Sequence, residues 1–258
     1  MIGAATHKLG RTPLILTGAA VFVVTLIASA PASLISAFID FERSRIAYAE
    51  ARGTIWKGEF IRTSIAGASL GEVSFELSPL SLLRLAPAVS FAAEGGAVRG
   101  QGSLSAGAGR FAVTGINADI DLGAVAPQGV LGQPAQGVAR LSIDEVVFTT
   151  ARGCRTASGG LWTDVLDAPA KRYNLPALPL AGGVSCHDGD LVIALAGEND
   201  RAGADITLRI DRTLAYEITA TARASEEDIA SALRVFGFED DNGALTYGSV
   251  GVFRGAGS

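Results

Sequence analysis

Glu72-Val73-Ser74-Phe75-Glu76-Leu77-Ser78 alternates without a fault: Val73, Phe75 and Leu77 are apolar, and the residues between them are polar. Side chains along a strand point to opposite faces in turn, so this run predicts a half-buried strand with those three residues inward. The same period recurs downstream. Asp205–Ala220 reads as a hairpin, with Ile206, Leu208 and Ile210 on one face, a turn near Asp211-Arg212-Thr213, and Leu214, Tyr216 and Ile218 continuing beyond it. Phe111–Thr114 and Ile116–Leu122 alternate as well, but their phase slips at Gly115, which suggests a bulge or bend. Leu141–Thr149 reads as a further strand with a broken pattern. Leu191–Ala196 is apolar at every position, as in a strand covered on both sides, and a sandwich core is the plainer of its two explanations. Phe41–Ala51 fits either helix or strand. About a dozen short strands are expected from about residue 41 to the end, in a mainly β, antiparallel domain that forms a curled sheet, a groove or a sandwich.

Helices are few. Ser78-Pro79 predicts a cap and first turn for a short helix over Leu80–Leu85, stopped by Pro87. Ser225 followed by Asp228 resembles a capping box, with Ile229, Leu233 and Phe236 on one face and Gly237 placed to end the helix. The third helix is of another kind. From Thr12 to Ile39 there is no charged side chain, and Leu14–Ala30 is apolar or small at almost every step. A segment of that length and character predicts a transmembrane helix over about 12–32, with 1–11 as a cytoplasmic tail. Lys8 and Arg11 precede it, which favours an N-terminus held in the cytoplasm. The alternative is a cleaved secretory signal, because Ala28-Ser29-Ala30 has the form of a cleavage site. Pro31 immediately after it argues against cleavage. Both readings export residues 41–258.

The chain carries 21 basic and 26 acidic residues, and its formal net charge is −5. Such a balance offers no broad attraction for nucleic acid or anionic lipid headgroups. Hydrophobic residues make up 48% of the chain, which excludes a disordered tail. The two cysteines, Cys154 and Cys186, stand on the exported side, where an even count predicts a disulfide. Free buried thiols and thiol chemistry are the alternatives. Only His187 stands near them, too few groups for a metal site, and on a strand His187 and Cys186 face opposite ways. Asp119 with Asp121, and Asp188 with Asp190, are the carboxylate pairs available for chemistry or Ca²⁺. The first reads as a solvated strand face and the second as a hairpin turn. No enzyme, metal or cofactor is expected.

A faint echo joins the two halves. Gly53-Thr54-Ile55-Trp56-Lys57-Gly58 and Gly159-Gly160-Leu161-Trp162-Thr163-Asp164 each carry an aliphatic residue and then tryptophan after glycine. Two similar halves, about 41–150 and 151–258, would follow from a duplication. The other reading is coincidence within a β-rich composition. Trp56, Trp162, Gly53, Gly58 and Gly160 are the candidates for structural packing or partner contact.

Together these segments resemble the type II secretion system protein N family. The matching pieces are Ala30-Pro31-Ala32-Ser33-Leu34, the Gly53–Gly58 box, Cys154–Asp164 with Cys186, and Gly243-Ala244-Leu245-Thr246-Tyr247. Ile55 stands where leucine is common in the family, and Lys57 where glutamine is common. The resemblance implies a single-pass inner-membrane protein with its bulk in the periplasm, an accessory subunit of the machine that moves folded proteins across the outer membrane. It implies neighbours among the inner-membrane platform subunits, and it is not known as an enzyme family. It also implies kinship with AsmA-like envelope proteins, whose sheets curl into apolar grooves, so that lipid binding or transport is the alternative function.

Overall fold

Alternation is realised as one antiparallel sheet of 15 strands. The computed structural model describes residues 11–34, 46–65, 68–125, 136–172, 174, 176–235, 237–241 and 243–252. The strands are β1 (Ile46–Ala47), β2 (Glu50–Gly53), β3 (Lys57–Ile65), β4 (Ala68–Leu77), β5 (Ala88–Gly95), β6 (Val98–Gly107), β7 (Arg110–Asp121), β8 (Val138–Thr149), β9 (Gly153–Thr163), β10 (Leu180–His187), β11 (Asp190–Glu198), β12 (Ala202–Ile210), β13 (Ala215–Ala224), β14 (Glu239–Asp241) and β15 (Ala244–Val252). From β3 to β13 each strand pairs with its sequence neighbours. β15 follows β13 with β14 on the outer edge, and β1 and β2 both pair with β3. The helices are α1 (Arg11–Ala28), α2 (Pro79–Leu83), α3 (Leu122–Val125), α4 (Asp167–Arg172) and α5 (Glu227–Val235).

The registers sort the side chains onto two faces. One row runs unbroken across the sheet from Phe60 through Val73, Ala93, Gly100, Ala118, Leu141, Leu161, Gly182, Leu195, Ile206 and Ala220 to Tyr247. Beside it, Phe75 faces Phe91, Ile116 faces Ile143, and Ile193 faces Leu208. The opposite face carries Lys57 against Glu76, Ser90 against Ser103, Asp119 against Arg140, and Arg209 against Glu217. The sheet is therefore apolar on one side and polar on the other.

No second sheet covers the apolar side among the described residues. The sandwich expected for Leu191–Ala196 is not what forms. Leu191, Ile193 and Leu195 lie half-buried on the apolar face, while Ala194 and Ala196 are exposed on the other. Small alanines tolerate water, so an all-apolar run does not require two covers. The sheet is open but not flat, since α3, which follows β7, touches β4 three strands away.

Local predictions fare well. Val73, Phe75 and Leu77 fall in β4, and the Asp205–Ala220 hairpin is β12–β13. Gly115 has φ 62° and sits where the β6–β7 register slips between Gln101 and Ser103. Asp188-Gly189, at φ 53° and 90°, form the two-residue turn between β10 and β11. The helix predicted over Leu80–Leu85 is shorter, Pro79–Leu83, and the Ser78 side chain makes no capping hydrogen bond. The backbone of Ser78 is engaged in strand pairing, its N–H donating to the Ala88 carbonyl at 3.0 Å. α5 begins at Glu227 and closes as foreseen: Gly237 at φ 88° donates to Arg234 and Phe238 to Leu233, the two bonds of a Schellman motif. Phe236 and residues 41–45 lie outside the described residues, as does the expected tail up to residue 10.

The segment predicted to span a membrane gives α1, which is 18 residues long and rises about 27 Å. Among the described residues no helix is long and apolar enough to cross a membrane. The boundary drawn between two halves falls in the turn joining β8 to β9, inside the continuous sheet.

Candidate functional site

Three of the quoted motifs meet where α1 joins the sheet. After Ala28 the chain straightens, and Pro31 forms an isolated antiparallel bridge with Thr54. The Ala30 carbonyl accepts from the Ile55 N–H at 2.9 Å. Ala32 is fully buried in a short 3₁₀ turn, Ala32–Leu34, which touches β2 and β3. The last carbonyls of a helix have no partner within it. Here Ser29 supplies two donors to the Thr25 carbonyl, its N–H at 2.9 Å and its hydroxyl at 2.7 Å. The Trp56 indole N–H donates to the Ile27 carbonyl at 2.9 Å. The Trp56 carbonyl accepts from the Leu77 N–H at 2.7 Å. Trp56 thus ties the end of α1 to both β3 and β4.

The glycines of this box have steric reasons. Gly53 turns with φ 87°, and a Cβ there would stand 2.5 Å from the Lys57 carbonyl oxygen. A Cβ on Gly58 would meet the Arg52 carbonyl oxygen at 2.5 Å and the Phe75 ring at 2.8 Å. Phe75 in turn stacks on Phe60 with ring centres 5.2 Å apart. Gly58 therefore leaves room for the first aromatic pair of the apolar face.

Trp162 and Gly160 stand elsewhere. Trp162 lies near the end of β9 on the polar face, with the Arg140 guanidinium 4.8 Å from its ring centre. Arg140 also faces Asp119 at 3.6 Å. A Cβ on Gly160 would meet only the Gly182 carbonyl oxygen, at an ordinary 3.5 Å, so no steric demand fixes glycine there. Trp56 and Trp162 therefore have different roles. The first caps a helix, whereas the second packs under a cation.

The disulfide joins Cys154 to Cys186 with Cα atoms 5.5 Å apart. β9 and β10 pair directly only over Gly160–Thr163 and Leu180–Gly183. The disulfide, with the Cys154 N–H donating to Gly189 at 2.7 Å, ties their other ends. It pins a place where the ladder is interrupted.

The carboxylate pairs have structural partners. The Asp121 carboxylate accepts from the Gly123 N–H at 3.0 Å at the start of α3. Asp190 pairs with Arg209 at 3.3 Å, and exposed Asp188 with His187 at 3.2 Å. Among the described residues, no three His, Cys, Asp or Glu side chains are grouped to hold a metal ion.

Residues 44–247 match the family described as type II secretion system (T2SS), protein N. The chain belongs to that family. The match takes in the Gly53–Gly58 box, both cysteines, Trp162 and the Gly243–Tyr247 segment, while α1 and Ala30–Leu34 precede it. No curated protein and no solved structure matches the chain. Membership supports an accessory role in type II secretion. Sequence reading found Trp56 but not its partner. A hydrogen bond reaching 29 residues back to a main-chain carbonyl leaves no mark in local pattern.

Proposed function

We propose that this protein is an inner-membrane-anchored, periplasmic subunit of the type II secretion system that supports export of folded proteins across the outer membrane. The observation that carries this reading is the family match over most of the chain, which begins beyond a helix whose apolar side chains stand exposed among the described residues. Ile15, Leu16, Val21, Phe22, Val23, Leu26 and Ile27 are 50–70% exposed and spread around more than half of α1. Left in water at that exposure, these seven side chains would forgo about 6–12 kcal/mol of transfer free energy. Seating α1 in the bilayer removes that penalty. Trp56 then stands at the helix end, where an amphipathic ring belongs at the membrane–water boundary. A disulfide accords with an oxidising compartment.

The neighbours are inner-membrane platform subunits, reached from the Trp56 end or from the polar face around Trp162. The domain is an accessory and carries out no chemistry. Deleting the gene product and assaying the medium tests the function: normally secreted proteins should be retained in the periplasm. Undiminished secretion would contradict it.

A second reading has its own observation. The apolar face is continuous across the sheet, half-buried and, among the described residues, without a second layer, as a lipid-holding groove requires. In that reading acyl chains lie along the row from Phe60 to Tyr247. Native mass spectrometry of gently extracted protein would find co-purified lipid, and its absence would count against the groove.

A further inference from the structure

The connection between β4 and β5 carries the densest group of exposed apolar side chains on the sheet. Leu80, Leu83 and Leu85 are 68%, 82% and 84% exposed. Three leucines presented within six residues exceed the scatter of apolar groups that any surface shows. They are not on a slack loop. The Ser81 hydroxyl donates to the Ser78 carbonyl at 2.6 Å and accepts from the Ala88 N–H at 2.9 Å. The Ala86 N–H donates to the Ser81 carbonyl at 3.1 Å. Leu85 is held in the left-handed region at φ 54°, a conformation that a branched side chain adopts only at a cost. The segment is a closed knot that holds its leucines outward.

Its position says what covers them. Leu77, two residues before α2, donates its N–H to the Trp56 carbonyl, and the Trp56 indole donates to the last turn of α1. The leucine knot is thus joined to the end of α1 through two hydrogen bonds of Trp56, at the same end of the strands. Charge agrees. Arg84 is the only charged residue between Leu77 and Ala93. Lys57 and Arg110 stand exposed at the same end, beside Glu76 and Glu145 respectively.

We infer that Pro79–Leu85 is a second membrane contact: Leu80, Leu83 and Leu85 enter the interfacial layer of the bilayer that holds α1, with Arg84 among the anionic headgroups. This rests on the anchoring of α1 proposed above. Two attachments instead of one fix the tilt of the sheet on the membrane. They also turn its first strands toward the lipid, where a single helix would leave the domain free to swing. Exposed apolar side chains beside a cation are suited to this layer.

The test uses the full chain in vesicles of phosphatidylethanolamine and phosphatidylglycerol. A nitroxide is attached at Leu83→Cys, with Phe22→Cys and Val235→Cys, at the far end of the strands, as references. The native cysteines are in the disulfide, and an intact Cys154–Cys186 bond in each variant confirms the fold. Collision with oxygen and with a water-soluble nickel complex reports the surroundings of each label. The expected result is that the Leu83 label, like the Phe22 label, is open to oxygen and shielded from nickel, while the Val235 label stays open to nickel. A Leu83 label as open to nickel as that at Val235, with Phe22 shielded, overturns this inference and leaves the anchor standing. A Leu83 label shielded from both reagents means that protein covers the knot, and also overturns it. A Phe22 label open to nickel overturns the anchoring and this inference together.

Discussion

The two ends of the strands are finished in opposite ways. At the end where β7, β9 and β13 finish, the chain leaves as α3, α4 and α5. There the protein covers its own apolar face. Leu180 is 0% exposed, Leu178 and Ala170 are buried with it, and Ile229 and Ala230 of α5 are buried where Ala222 and Leu245 form a core. At the end where α1 joins, the connections are tight turns and the α2 knot, and leucines stand in the open. An open sheet of 15 strands has one apolar side to account for. The difference shows that helices cover this side at one end, whereas at the other, among the described residues, Phe75, Val146 and Cys154 are buried without a covering helix and the leucines of the α2 knot stand outside the protein's own packing.

Leucine truncations at the two ends would break this contrast most sharply. Leu180→Ala removes a fully buried side chain and should cost about 2–5 kcal/mol in denaturant unfolding. Leu83→Ala should change stability by no more than about 0.5 kcal/mol. Equal costs would erase the distinction between the ends. Next in size is the disulfide. Replacing Cys154 and Cys186 together with serine should cost about 2–4 kcal/mol. Hydrogen exchange should then rise first where β9 and β10 lack direct pairing, between Cys154 and Gly160. Uniform loosening of the whole sheet would argue against a local pin.

Smaller again is Trp56→Phe, which keeps the ring and removes the donor to Ile27. A neutral hydrogen bond contributes about 0.5–1.5 kcal/mol. The expected readout is faster exchange at the Ile55 amide, with global unfolding scarcely moved. Unchanged protection there would mean that the indole does not hold the junction. The smallest effect is with pH. The Arg201 side chain, hydrogen-bonded to Glu226 at 2.7 Å just before α5, holds that carboxyl below its ordinary value. The Thr213 hydroxyl does the same for Asp211 at the opposite end. A lowered folded pKa gives stability that is present above the unfolded pKa and lost as pH falls through the folded one. Both contacts are exposed, so acid below about pH 4 should fray α5 and the β12–β13 turn modestly. Fraying that began near neutral pH would contradict the assignment.

What the sequence disclosed follows from the reach of each signal. Period-two alternation placed Val73, Phe75 and Leu77 inward, because facing is fixed by the pleat alone. Glycine placement found the slip at Gly115 and the turn at Asp188-Gly189, because a left-handed φ is a local demand. The cysteine pair was legible from its even count and the expected export of the domain. That the described residues form one sheet without a second was not legible. Leu191–Ala196 looks the same in a sandwich and in an open sheet, since what differs is the layer opposite. The environments of Trp56 and Trp162 were equally hidden. Similar local words placed one before a strand at a helix end and the other near the end of a strand beneath Arg140. Nor did Leu80, Leu83 and Leu85 announce their exposure, since a short apolar run reads first as core.

The central claim is that α1 holds this sheet to a membrane with the sheet on the periplasmic side. An alkaline phosphatase fusion following Val252, carried through alkaline carbonate extraction, tests it most directly. The account predicts an active phosphatase that stays with the membrane pellet. An inactive fusion, or an active one released to the supernatant, would contradict it.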